Sequence, residues 1–190
     1  VTPLETLAAW ISDARAKGVR DPDAMVLATV GANGAPSARV VLCRGVDDRG
    51  LRFYTSYEGR KGGEMAVHAD VAACFHWDVL GKQVRVEGKV ERLSHEESEE
   101  YFHKRPRGHQ LQAWASPQSH VIASLDEVRV KHAEMTARFE GKDIPMPPHW
   151  GGYLIRPRVI ELWTTGADRL HERLVYTRRD DTWDITRLAP

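Results

Sequence analysis

The chain has 190 residues, 42% of them apolar, which is enough for one substantial core and too few for two comfortable ones, so a single domain over 1–190 is expected. Lys plus Arg equals Asp plus Glu at 27 each, so no global basic field exists to attract nucleic acid or an anionic membrane surface, and any anion binding must be local. The apolar runs near 24–30 and 71–75 are far shorter than the roughly 20 residues of a spanning helix, residues 1–20 lack signal-peptide order, and Cys43 and Cys74 read as reduced buried thiols, as in a soluble cytoplasmic protein.

Thr2-Pro3-Leu4-Glu5 forms a capping box with proline at the first helical position, and Leu4, Leu7, Ala8, Ile11 and Ala14 recur at helical spacing until Gly18 stops the run. Strands are expected at 24–30, 38–46, 51–56 and 70–79, separated by Asn33-Gly34, Asp48-Arg49-Gly50 and Glu58-Gly59. From Lys82 to Glu91 the alternation is clean, with Val84, Val86, Gly88 and Val90 on the buried face. Capping boxes at Ser94 to Glu97 and Ser124 to Glu127 announce helices over about 95–103 and 125–139. After a proline-rich connection at 141–148, strand character returns at 151–164, 169–178 and 182–188, with Asp180-Asp181 as a hairpin turn. Strands in succession with inserted helices argue for a mainly β fold with added helices (α+β), a closed or partly closed β-barrel.

The chain contains no glycine-rich nucleotide loop, no G-x-S-x-G elbow, no C-x-x-C and no H-E-x-x-H, so a phosphate would be held by side chains, and neither metal catalysis nor nucleophilic hydrolysis is supported. Arg39, Arg60 and Lys61, with the hydroxyls of Tyr54-Thr55-Ser56, suit a terminal phosphate, although Arg60-Lys61 alone reads as a solvated loop. Tyr101 and Arg105, four apart at a basic helix end, can converge on a second anionic group, with complementing the helix dipole as the plainer role of those cations. Gln83, Gln118 and Ser119 are of the type that reads a heteroaromatic edge, and Trp163 of the type that stacks on one. In Arg169-Leu170-His171-Glu172-Arg173, an extended strand places Arg169, His171 and Arg173 on one face about 7 Å apart, a grouping that calls for an anion, either Glu161, Glu172 or a ligand phosphate.

In chain order, Arg39-Val-Val-Leu, Phe53-Tyr54-Thr55, Arg60-Lys61-Gly62, Gln83-Val-Arg-Val-Glu-Gly, Tyr101-Phe102 with Arg105-Pro-Arg, Ala113-Trp-Ala-Ser-Pro-Gln-Ser119, Trp150-Gly-Gly-Tyr153 and Arg169-Leu-His-Glu-Arg173 resemble the pyridoxamine 5'-phosphate oxidase family. The resemblance implies an FMN-binding split β-barrel homodimer with each flavin cleft built from both chains. It implies FMN phosphate and ribityl contacts at Arg39, Tyr54, Thr55, Arg60 and Lys61, and further flavin contacts at Gln83, Gln118, Ser119, Trp163 and Arg173. Substrate phosphate falls to Arg44, Tyr101, Arg105 and His109, while Arg169 and His171 face the substrate ring as the catalytic pair. The implied reaction oxidises a phosphorylated B6 vitamer with O2 as acceptor; the alternatives are a related oxidase of another aromatic metabolite, such as a phenazine precursor, or a flavin or B6 carrier. Four positions depart from the family's usual residues: Arg44 for lysine, His109 and Gly59 for serine, and Thr164 for glutamine.

Overall fold

The computed structural model describes residues 1–190. Its helices are α1 (Pro3–Ala16), α2 (Arg60–Val67), α3 (His95–Lys104), α4 (Arg107–Ala115) and α5 (Leu125–Arg138). Its strands are β1 (Ala24–Val30), β2 (Pro36–Leu42), β3 (Gly45–Asp47), β4 (Gly50–Ser56), β5 (Asp70–Trp77), β6 (Lys82–Arg92), β7 (Trp150–Thr164), β8 (Glu172–Arg179) and β9 (Thr182–Arg187). The capping boxes at Thr2 and Ser94 both form, fixing the starts of α1 and α3.

All strand pairings are antiparallel, in the order β2-β1-β5-β6-β7-β4-β3, with β8 on β7 and β9 on β8. β7 organises this sheet. One of its edges pairs with β6 over Tyr153–Thr164, and the other pairs with β4 over Trp150–Ile155 and then with β8 over Val159–Thr164. The changeover falls around Pro157, which has no backbone N–H to donate, opposite a register shift at Glu87/Gly88 on β6. A Cβ on Gly88 would sit 2.2 Å from the Arg156 carbonyl oxygen, so only glycine admits this close approach. Because β2 and β3 end the pairing path without meeting, the barrel is split.

The main core lies between the sheet and α1, whose Leu4, Leu7, Ile11 and Ala14 pack with Leu27, Phe53, Phe75, Val84, Val86 and Ile155. A second cluster of Phe102, Leu111, Met135, Phe139, Ile144 and Trp150 fastens α3, α4 and α5 to the start of β7.

Several local expectations require correction. The strand expected over 38–46 breaks at Cys43 and Arg44, whose amides donate to the Asp23 and Arg52 carbonyls, dividing it into β2 and β3. The strand expected to reach residue 79 ends at Trp77 in a 3-10 turn, Asp78–Leu80. Residues 60–67 and 107–115 are helices rather than loop or turn. Ser124 precedes α5 but makes no side-chain capping bond. Arg105 is not on the helical face with Tyr101; it lies just past α3 in an extended conformation, φ −73° and ψ 148°. The 169–178 strand begins only at Glu172, because Ala167–Arg169 form a 3-10 turn in which Asp168 (φ 53°) and Arg169 (φ 62°) are left-handed. The alternation proposed to align Arg169, His171 and Arg173 therefore does not exist.

Candidate active site

The end of β2, the middle of β4, the start of α2 and the α3–α4 corner surround a cleft of about 710 Å³. Five cations border it, Arg39, Arg44, Lys61, Lys104 and Arg105, and no carboxylate does. Three of them are ion-paired just behind the lining, Arg39 with Glu64, Arg44 with Asp23 and Lys104 with Glu100, which leaves Lys61 and Arg105 as the cations without a carboxylate partner.

Lys61 lies at its buried end. The Lys61 ammonium donates to Thr55 Oγ1 (2.9 Å) and Gln118 Oε1 (2.7 Å), and the Thr55 hydroxyl itself donates to Gln118 Oε1 (2.9 Å). Both partners are neutral, and burial, followed by repulsion from Arg39, lowers the lysine's pKa. Arg60 and Lys61 begin α2 with no acidic residue in the first turn and no side-chain cap at Gly59, opposite to the charge preference of a helix N-terminus. An anion at this end would satisfy both the buried ammonium and the helix.

Arg39 is held differently. Its Nη2 donates to Glu64 Oε2 (3.0 Å) and Ser37 Oγ (2.6 Å), and its Nη1 to Thr29 Oγ1. Glu64 also accepts from Thr29 (2.5 Å), Ser37 (2.7 Å) and Arg60 Nε (2.9 Å), and these bonds depress its pKa to about 2. Sequence reasoning passed over Glu64; its i,i+4 spacing from Arg60 was the available signal.

Across the cleft, Tyr54 stacks on Tyr101 with ring centroids 3.8 Å apart, and Trp150 continues this aromatic wall 5.7 Å from Tyr54. The Arg105 guanidinium lies over Trp150, 4.6 Å from the ring centroid, and its buried Nη1 has no hydrogen-bond partner. An orphaned buried donor on a residue that lines a cleft fits a site whose anionic ligand draws the guanidinium toward it. Burial is the main influence lowering the Arg105 pKa, with Arg44 adding repulsion. Arg44 is paired with Asp23 at 2.8 Å, and His109, in the first turn of α4, is exposed at the cleft.

Of the anticipated residues, Arg39, Arg44, Tyr54, Thr55, Lys61, Tyr101, Arg105, His109 and Gln118 thus converge on one cleft. Arg60 stands behind it through Glu64, and Ser119 follows Gln118 as an exposed, left-handed residue (φ 68°). The remaining five lie elsewhere. Gln83, Trp163 and Arg173 form one cross-strand row over β6, β7 and β8. His171 packs on Trp163 with centroids 4.6 Å apart and accepts the Gly166 N–H at Nδ1 (3.2 Å), which puts the proton of the neutral ring on Nε2. Arg173 donates to buried Glu161 (2.7 Å), which also binds Arg85 (3.1 Å), so the anion expected for this stretch includes a protein carboxylate. Arg169 is exposed beside them. Trp163 lies thirteen residues after Trp150, roughly 40 Å of strand contour at ~3.3 Å per residue, so the two groups occupy opposite ends of β7.

Residues 11–139 match the family model described as pyridoxamine 5'-phosphate oxidase, and residues 150–190 match the pyridoxine 5'-phosphate oxidase C-terminal dimerisation region. The chain belongs to the pyridoxamine 5'-phosphate oxidase family. It is 48% identical to the pyridoxine/pyridoxamine 5'-phosphate oxidases of Salinibacter ruber and Rubrobacter xylanophilus, over 99% of this chain and 89% and 87% of those proteins. Among solved structures it is similar to PhzG from Burkholderia lata in complex with tetrahydrophenazine-1-carboxylic acid, with a TM-score of 0.93 at 32% identity, covering 99% of this chain and 92% of that one. The fold is shared by a pyridoxamine 5'-phosphate oxidase-related, FMN binding protein from Nostoc punctiforme, with a TM-score of 0.79 at 18% identity, covering 100% of this chain and 99% of that one. Lys61 and Arg105, the two cleft cations without a carboxylate partner, suit phosphate groups, and the aromatic wall suits a flat substrate ring.

Proposed function

We propose that the protein is an FMN-dependent oxidase that converts pyridoxamine 5'-phosphate or pyridoxine 5'-phosphate to pyridoxal 5'-phosphate, with O2 as acceptor and H2O2 as product. The observation that carries this reading is the cleft with two separated cations lacking any carboxylate partner, Lys61 at one end and Arg105 at the other, which suits a cofactor phosphate and a substrate phosphate. Bound FMN supplies the hydride acceptor and returns the electrons to O2.

The chain's own residues bind and orient. Lys61, Arg39 and Arg60, with Tyr54, Thr55, Gln118 and Ser119, hold the phosphate end of FMN. Arg105 offers its guanidinium, which has no carboxylate partner, to the substrate phosphate, with Arg44, Tyr101 and His109 around it. Arg169 and His171 orient the substrate ring and support charge at the reacting centre, with Gln83, Trp163 and Arg173 against the flavin. Because β7 places this second group at its far end, the active unit is a homodimer in which each site draws one group from each chain.

The likeness to PhzG favours a second reading, oxidation of a phenazine-type precursor. Such a ligand, carrying a carboxylate, leaves more of the cleft's cations unmatched than a phosphate monoester does. Anaerobic mixing of the FMN-loaded protein with each B6 phosphate tests the choice. Flavin bleaching with stoichiometric aldehyde supports the B6 oxidase; absence of bleaching with both compounds rejects it.

A further inference from the structure

We infer that Glu64 is a positioning residue for the cofactor phosphate, holding the Arg39 and Arg60 side chains in place and setting the charge of the cradle they form with Lys61. The inference rests on the reading of those three cations as the phosphate site of FMN.

Glu64 lies one helical turn after Arg60, and its carboxylate binds three elements at once. It receives Thr29 from β1 (2.5 Å), Ser37 and Arg39 from β2 (2.7 and 3.0 Å), and Arg60 from its own helix (2.9 Å). Its side chain is 9% exposed, so water competes little for the carboxylate. Arg60, by contrast, is 65% exposed and stands behind the cleft, and its only ion pair is to Glu64, without which nothing holds its guanidinium near the start of α2. The carboxylate offsets one of three positive charges and leaves two, matching the dianion of a phosphate monoester near pH 7. With a native pKa of about 2, Glu64 keeps its charge wherever the protein works.

Removing the negative charge raises the local positive potential, which by itself favours phosphate; releasing two long side chains opposes binding, and that effect dominates if Glu64 positions them. Titration of the flavin-free full-length chain with FMN and with riboflavin, read by fluorescence quenching, isolates the phosphate's contribution. Glu64→Gln keeps the side-chain volume but replaces one of the two acceptor oxygens with an NH2 donor, so either Arg60 or the Thr29, Ser37 and Arg39 group loses its acceptor, and the variant is expected to weaken FMN about tenfold while riboflavin changes less than twofold. An FMN affinity that is unchanged or increased, or equal losses for both flavins, overturns the inference. Lys61→Met serves as the reference. If it leaves the preference for FMN over riboflavin intact, the phosphate site itself is misread; if it abolishes the preference while Glu64→Gln does not, only the role of Glu64 fails. Should Glu64→Gln not fold, Ser37→Ala removes one donor to the carboxylate and one acceptor of Arg39, and is expected to weaken FMN about threefold with riboflavin unaffected.

Discussion

Replacing Lys61 by methionine is expected to reverse the stability ranking of the two proteins when FMN is added. Lys61 is 9% exposed and bonds only to Thr55 Oγ1 and Gln118 Oε1. Methionine fills similar volume, and the bond from the Thr55 hydroxyl to Gln118 Oε1 (2.9 Å) remains, so neither oxygen is orphaned. Burying an ammonium without a counter-charge costs several kcal/mol, and the two hydrogen bonds it gains offset most of that. A gain of about 1 kcal/mol for ligand-free Lys61→Met follows. The lysine's lowered pKa gives the pH dependence: the native state binds fewer protons than the unfolded chain, so ligand-free wild type becomes more stable as pH rises toward ~10.4, and the variant loses that slope. With FMN present the order turns over. A charge-assisted bond to phosphate contributes about 1.5–3 kcal/mol, which corresponds to an affinity loss of roughly 10- to 150-fold. At FMN one hundred times the wild-type Kd, linkage stabilises wild type by about 2.7 kcal/mol, but stabilises a variant with hundredfold weaker binding by only about 0.4 kcal/mol. Urea unfolding with and without FMN measures both differences. A ligand-free variant less stable than wild type by more than about 1 kcal/mol, with an undiminished FMN increment, would refute the argument and make Lys61 a structural residue.

Three other outcomes are expected. Glu64 is depressed from an unfolded value near 4.3, so its stabilisation, at most about 3 kcal/mol, is complete above that value and lost as pH falls toward its native pKa of about 2; acid unfolding of Glu64→Gln should lack this component. Gly88→Ala should destabilise by about 2 kcal/mol or more, because the added Cβ meets the Arg156 carbonyl, whereas Gly63→Ala, with nothing within 4 Å in the middle of α2, should stabilise by about 0.5–1 kcal/mol; thermal unfolding checks the pair. Arg105→Ala should raise KM for a phosphorylated vitamer about tenfold or more with little change in FMN affinity, and steady-state kinetics beside flavin titration separates the two.

The sheet was largely legible because its strands alternate strictly: 82–91 was expected and Lys82–Arg92 found, and the Asp180-Asp181 hairpin falls between β8 and β9. Two helices were not. Gly62-Gly63 and paired cations argue against a helix at 60–67 by local propensity, and the bonds that hold α2 there reach Thr29 and Ser37, more than twenty residues away. Residues 107–115 follow a proline, carry Gly108 and show weak periodicity, yet they fold onto Phe139 and Trp150 through Leu111. Most of the cleft's residues were found through the family motifs, whereas their separation from Arg169 and His171 depends on β7 being unbroken through Pro157. The Arg169 turn defeats strand reasoning, because non-glycine residues at positive φ carry no reliable local signal.

The length of β7 also makes defects divisible. With the cleft at one end of the strand and the His171 corner at the other, a chain damaged only at Arg105 and a chain damaged only at His171 each retain what the other lacks. On the proposed function, in which each site draws one group from each chain, random pairing of equal amounts would make half the dimers mixed, each with one whole site and one doubly damaged site, so about a quarter of wild-type site number should return from two inactive preparations. In a cell carrying both alleles, either lesion alone would be masked by the other.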